Sequence, residues 1–271
     1  MSKPEKLFVV VDPSDTVQIA LERALIMGKK HEVPPELFLF VGVDGEAVDL
    51  RAVNDNLFRK QEWFMETIRK PVEDAGMSYT LEVSWSREWQ KSILQSAKRW
   101  NAERIYLPVH ERTNNSRFTF SEAKWGILKS ADCPVVLIQP GAKPERKTIV
   151  AAVNFQARLA EQQKLNESII YWGNFVAEKY GANFHVVNAY LDSMHYPDRG
   201  KLAREAKISS DNIHVEQGYT SDVVGQVAKR LDADLVVMGT LGQTGQTTTR
   251  RGNTAERVIA ALTQDVMVIN H

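Results

Sequence analysis

Two rhythms of apolar residues run along the chain. Short unbroken runs such as Leu7 to Val11, TIVAAV, DLVVM and DVMVIN alternate with stretches in which apolar residues recur every three or four positions. The longest such stretch, Leu159 to Tyr180, sets Leu165, Ile169, Trp172, Phe175, Val176 and Tyr180 at helical spacing and closes at Gly181. In the second half these rhythms predict strand TIVAAV, that helix, strand FHVVNAY and a loop with a short helix through 191–211. Strand IHVEQ, a helix from Ser221 to Leu231, strand DLVVMG, a helix from Thr254 to Leu262 and strand DVMVIN follow. Unbroken apolar strands interleaved with helices imply a mainly parallel α/β sheet covered on both faces.

The chain also aligns with itself. Residues 97–139 face residues 228–270 at a constant offset of 131, so that AKRWNAERIYLPV meets AKRLDADLVVMGT and CPVVLIQ meets QDVMVIN. FVVVDP meets VAAVNF at an offset of 142, which places Asp12 opposite Asn154 and leaves the halves a net eleven residues (142 less 131) different in their middles. This pattern predicts two tandem copies, 1–141 and 147–271, joined by the proline-containing, charged segment from Gln139 to Lys147. Duplication further predicts a pseudo-dimer whose final strands, CPVVLIQ and DVMVIN, meet edge to edge within one chain.

Composition narrows the function by exclusion. Thirty-four Lys and Arg balance thirty-four Asp and Glu, so no global field draws the protein to nucleic acid or anionic lipid, and neither partner is expected. The five-residue apolar run near the N-terminus is too short for a signal-peptide core or a membrane span. A single cysteine, Cys133, precludes an intrachain disulfide; a cytoplasmic protein is expected, with Cys133 a small buried hydrophobe rather than a nucleophile. The six histidines are dispersed without metal-ligand spacing, and no G-x-x-x-x-G-K-[ST] occurs. NFQAR after TIVAAV, in place of a Ser-Gly-Gly loop, argues against an ATP pyrophosphatase. With no nucleophile, base and orienter brought together, the expectation is a protein that is not an enzyme. Five of the six tryptophans, Trp63, Trp85, Trp89, Trp100 and Trp125, lie in the first half, as expected of core or inter-domain filling.

One connection carries candidate chemistry. GTLGQTGQTTTRRGNTAERVI follows DLVVM and holds Gly239, Gly242 and Gly252, then Asn253, with Glu256 three residues on. Glycines let a backbone turn sharply and approach a ligand closely. Asn253 and Glu256 form a capping pair for a helix beginning at Thr254. Free amides and partial positive charge at that helix start, facing the first glycines, suit phosphate oxygens, and Arg250 and Arg251 are candidates to add charge.

The pattern G-x-x-G, nine residues, then glycine with a small polar residue, after VVMGT, resembles the nucleotide-binding motif of the universal stress protein family. GNTAE, with the two-copy layout, resembles its tandem, E-type bacterial members. The resemblance implies two copies of a five-stranded parallel sheet of order 3-2-1-4-5, with a ligand crevice between the first and fourth strands. It implies Val153, Asn154 and Ala189 at the base and ribose, and Met238, Gly239, Gly242, Gly252, Asn253 and Thr254 around ribose and phosphates. Asn154 stands where ATP-binding members usually carry Asp. In the first copy the three glycine positions face Pro108, Glu111 and Ser121, so that copy is expected to be degenerate and to bind no phosphate. The resulting expectation is a non-enzymatic stress-response protein that binds ATP or AMP, with or without Mg²⁺, and acts through a protein partner or a homo-oligomer. A slow ATP hydrolase and a scaffold or carrier of an apolar ligand are the alternatives.

Overall fold

The computed structural model describes residues 3–13, 15, 17–43, 61–86, 88–109, 122–241 and 254–270. Its packing separates two compact units, Met1–His110 and Glu111–His271.

In the first unit, strands β1 (Lys6–Val11), β2 (Glu36–Val43), β3 (Ser78–Trp85) and β4 (Arg104–Pro108) are ordered β3-β2-β1-β4, all parallel. The second unit contains β5 (Val135–Ile138), β6 (Thr148–Val153), β7 (Asn183–Tyr190), β8 (Ile213–Gln217), β9 (Leu235–Thr240) and β10 (Asp265–Asn270), ordered β5-β10-β9-β6-β7-β8. Within it β8-β7-β6-β9-β10 is the order 3-2-1-4-5 expected of a complete copy, and the first unit shows the first four places of the same order. β5, the fifth strand of the first copy, packs in the second unit and pairs antiparallel with β10 through Leu137↔Val266, Val136↔Met267 and Val135↔Val268. The final strands of the two copies therefore meet edge to edge.

The repeat holds at the level of single hydrogen-bonded positions. β1 meets β4 at Leu7↔Arg104 through Val9↔Tyr106, and β6 meets β9 at Ile149↔Leu235 through Ala151↔Val237, the same positions displaced by 142 and 131. Asn101 and Asp232, opposite each other in the repeat, are both left-handed, with φ of 58° and 48°, a conformation that short polar side chains tolerate. Glu103 accepts the Lys6 amide at 2.8 Å, and its counterpart Asp234 accepts the Lys147 and Thr148 amides at 2.7 and 2.9 Å.

A buried ion pair fastens the segment before β6. Arg146 bonds Asp265, the first residue of β10, which is fully buried, and also donates to the Asp234 carbonyl at 2.8 Å. The second Asp265 oxygen accepts the Gln139 amide at 2.8 Å, so one carboxylate holds both ends of the segment from Gln139 to Arg146.

The helix Ala160–Tyr180 ends, as its sequence predicts, on a left-handed Gly181 with φ of 63°. It lies close on the sheet at Gly173, where a Cβ would stand 2.5 Å from the Phe184 ring. The five tryptophans of the first half are all partly exposed rather than enclosed in the core, Trp100 lying tilted against Phe38 at 5.3 Å and Trp85 exposed on β3. Cys133 is half-buried rather than enclosed.

Two of the dispersed histidines come together. His185 on β7 and His214 on β8 approach ring nitrogen to ring nitrogen at 3.2 Å, half-buried. Burial pushes both imidazoles below the ordinary value of 6.5, and His214 is lowered further by His185, Arg230 and Arg199, against the opposing pull of Glu216. A histidine lowered by folding binds its proton more readily when unfolded, so its contribution is intact above 6.5 and is lost as pH falls through the lower folded value. Stability is expected to decline below about pH 6.5 by more in the wild type than in His214→Gln, measured by thermal melts across that range. Parallel declines in the two proteins would refute a role for the pair.

Candidate functional site

The crevice forms because two neighbouring strands part company. β6 pairs with β9 only as far as Ala151↔Val237. Beyond that point β6 continues with β7 to Val153↔Asn188, and β9 continues with β10 to Thr240↔Asn270. Val153 and Asn154 on one side and Met238 and Gly239 on the other thus edge an opening at the carboxyl ends of the strands. Strand order reverses there, the usual ligand position in such sheets.

Three polar side chains fix the margin of this opening. Asn166, in the helix Ala160–Tyr180, accepts the Asn154 amide at 3.0 Å and donates to the Asn154 carbonyl at 2.8 Å. Asn188, fully buried, accepts the Phe155 amide at 2.7 Å and donates to Gln156 at 2.8 Å. Gln156 in turn donates to the Ala189 carbonyl at 2.8 Å. The turn leaving β6 is therefore held through its backbone, while the exposed Asn154 carboxamide makes no hydrogen bond among the described residues. A free amide on a clamped backbone offers a ligand both a donor and an acceptor at a fixed position. The first copy uses the same device at Asp12, whose amide and carbonyl bond the Gln18 side chain at 3.2 and 2.7 Å.

Of the residues expected around a nucleotide, Val153, Ala189 and Met238 are buried at or near the carboxyl ends of their strands, and Thr254 is the exposed first residue of the helix Thr254–Ala261. Gly239 lies within β9, outside the left-handed region, and a Cβ there would stand 2.7 Å from the Leu165 side chain. Its lack of a side chain accommodates the helix that crosses the strand end. Gly242, Gly252 and Asn253, with Arg250 and Arg251, lie outside the described residues, as do Glu111 and Ser121 of the first copy.

Sequence reasoning passed over Asn166, Asn188 and Gln156. Their signal was present: an Asn inside the apolar run FHVVNAY, and another beside Leu165 on the inward side of a helix, must find hydrogen bonds if buried. Among the described residues no group of three or more His, Cys, Asp or Glu is placed to hold a metal ion, and no helix is long and apolar enough to cross a membrane.

Comparison with known proteins agrees with this architecture. The model of the universal stress protein family matches residues 4–139 and 147–270. The universal stress protein E homolog of Haemophilus influenzae is 23% identical, with 98% of this chain and 97% of the relative covered. Universal stress protein E of Salmonella typhi is 27% identical, covering 99% and 95%. Among solved structures, a functionally unknown protein from Pseudomonas aeruginosa PAO1 superposes with a TM-score of 0.77 at 24% identity, covering 98% of this chain and 92% of its own. A universal stress protein from Archaeoglobus fulgidus DSM 4304 gives 0.72 at 17% identity, with 98% of each chain covered. At these identities the two structures establish the fold alone.

Proposed function

We propose, from the premise that the chain belongs to the universal stress protein family, that its second copy, 147–271, binds an adenine nucleotide, ATP or AMP, and acts in the stress response without catalysing a reaction. The first copy, 1–141, is the degenerate partner, with Pro108 where the second copy has Gly239. The observation that carries this reading is the parting of β6 from β9 beneath the clamped turn at Asn154. Val153, Ala189 and Met238 supply an apolar bed for a base, and Asn154 supplies polar contacts at the ribose. Gly242, Gly252, Asn253 and Thr254 supply backbone amides to phosphate in this reading. Gly239 contributes by admitting Leu165 beneath the site.

The protein purified without added nucleotide and then denatured is expected to release ATP or AMP. Emptied protein is expected to gain about 2.7 kcal/mol in apparent stability when nucleotide is supplied at roughly a hundred times its Kd. Asn154→Ala should need more nucleotide for the same shift. No released nucleotide, and melting curves unmoved by millimolar ATP or AMP with or without Mg²⁺, would reject the reading.

A further inference from the structure

We propose that the groove beside the helix Ala160–Tyr180 docks a basic, amphipathic segment of a partner protein. This groove has a volume of about 790 Å³ and lies on the second unit near the start of β7, away from the crevice at the strands' carboxyl ends. It does not depend on the nucleotide reading.

The floor is apolar: Ile170, Ala177 and Phe184 line it and are themselves buried. Above the floor stands Tyr171, which leaves 62% of its surface in solvent. Its ring is held by neighbours rather than free, edge-on to Trp172 at 5.6 Å and stacked on Phe175 at 6.4 Å. An exposed, pre-oriented aromatic over an apolar floor is what an incoming aliphatic side chain covers at low entropic cost.

Charge specifies the occupant. Glu167 and Glu178 stand at the two ends of the helical stripe that lines the groove, eleven residues and therefore about 16 Å apart. Both are exposed, and neither carboxylate makes an ion pair or hydrogen bond among the described residues. On the facing wall Glu205 is shared with Lys201 at 3.7 Å, and Lys207 is the sole cation in the lining. With Glu205 paired to Lys201, the charges left over in the lining are two carboxylates, Glu167 and Glu178, against the Lys207 ammonium, which favours a cationic guest. Their separation matches a segment with an apolar middle and a Lys or Arg toward each end, the long methylene stems lying on the floor while the charged heads reach the carboxylates.

The probe is a fluorescein-labelled amphipathic helical peptide whose lysines flank a leucine face at the spacing of Glu167 and Glu178, titrated with the full chain and followed by anisotropy. Expected results are saturable binding that weakens with salt, a Kd raised about tenfold in Glu167→Lys/Glu178→Lys, a smaller loss in Tyr171→Ala, and no binding of the same peptide with glutamates for lysines. These are surface positions, and unchanged melting of each variant excludes misfolding as the cause. Equal affinity of wild type and the double variant would overturn the proposal. So would self-association in sedimentation experiments that Tyr171→Ala abolishes, because the occupant would then be a second copy of this chain.

Discussion

Asp265→Ala is expected to cost about 3–5 kcal/mol of folding stability, the largest loss from a single substitution in the second unit outside its apolar core. The cost does not measure the attraction between Asp265 and Arg146. It reflects what remains: a guanidinium almost wholly buried without its counter-charge, and a Gln139 amide without its acceptor. Arg146→Met/Asp265→Leu, which removes both charges and refills the space, is expected to be far less harmful than Asp265→Ala alone. Urea unfolding measures this as a midpoint shift at unchanged slope. A loss below about 1 kcal/mol for Asp265→Ala would mean that water reaches Arg146 and that the pair is not buried in solution.

Gly239→Ala is the second substitution with a large expected effect, and it separates two explanations of one glycine. If that residue is glycine only to let a ligand approach, a methyl group should leave the nucleotide-free protein as stable as before. The contact with Leu165 predicts instead a loss of about 1–3 kcal/mol, because the added carbon would lie 2.7 Å from a buried side chain. Leu165→Ala should itself cost about 2–5 kcal/mol by leaving a cavity. Combined, the two changes should cost clearly less than the sum of the singles, since each relieves the other's defect. Strict additivity, or a fully stable Gly239→Ala, would remove the packing explanation. Loss of nucleotide binding in Gly239→Ala is consequently not evidence of ligand contact. Asn154→Ala, which disturbs no hydrogen bond among the described residues through its side chain, is the cleaner probe.

Much of the fold was legible because it is written in local periodicity. The helix ending at Gly181, the strand IHVEQ and the helix opening at Thr254 follow from spacing and turn residues, and the two offsets carry the paired strand positions of one copy onto those of the other. The candidate site was less legible because its supports are distant in sequence. Asn188 reaches back 33 residues to the Phe155 amide and Asn166 reaches back 12 to Asn154, and neither separation leaves a periodic trace. The His185–His214 contact likewise exists only once parallel strands have chosen their register. Gly239 has a packing reason to be glycine that the sequence does not carry, since an absent side chain looks the same in sequence whether a ligand approaches it or a leucine fills the space.

The antiparallel junction of β5 with β10 bears on how the two copies diverged. In separate molecules, such a union of outermost strands would be bimolecular and subject to dilution. Tethering makes it unimolecular, at an effective concentration in the millimolar range for a short linker. The partner is then always present and always the same one. Either half could then change its loop residues without forfeiting its complement, because selection on assembly no longer requires both halves to remain alike; Pro108, Glu111 and Ser121 stand opposite Gly239, Gly242 and Gly252.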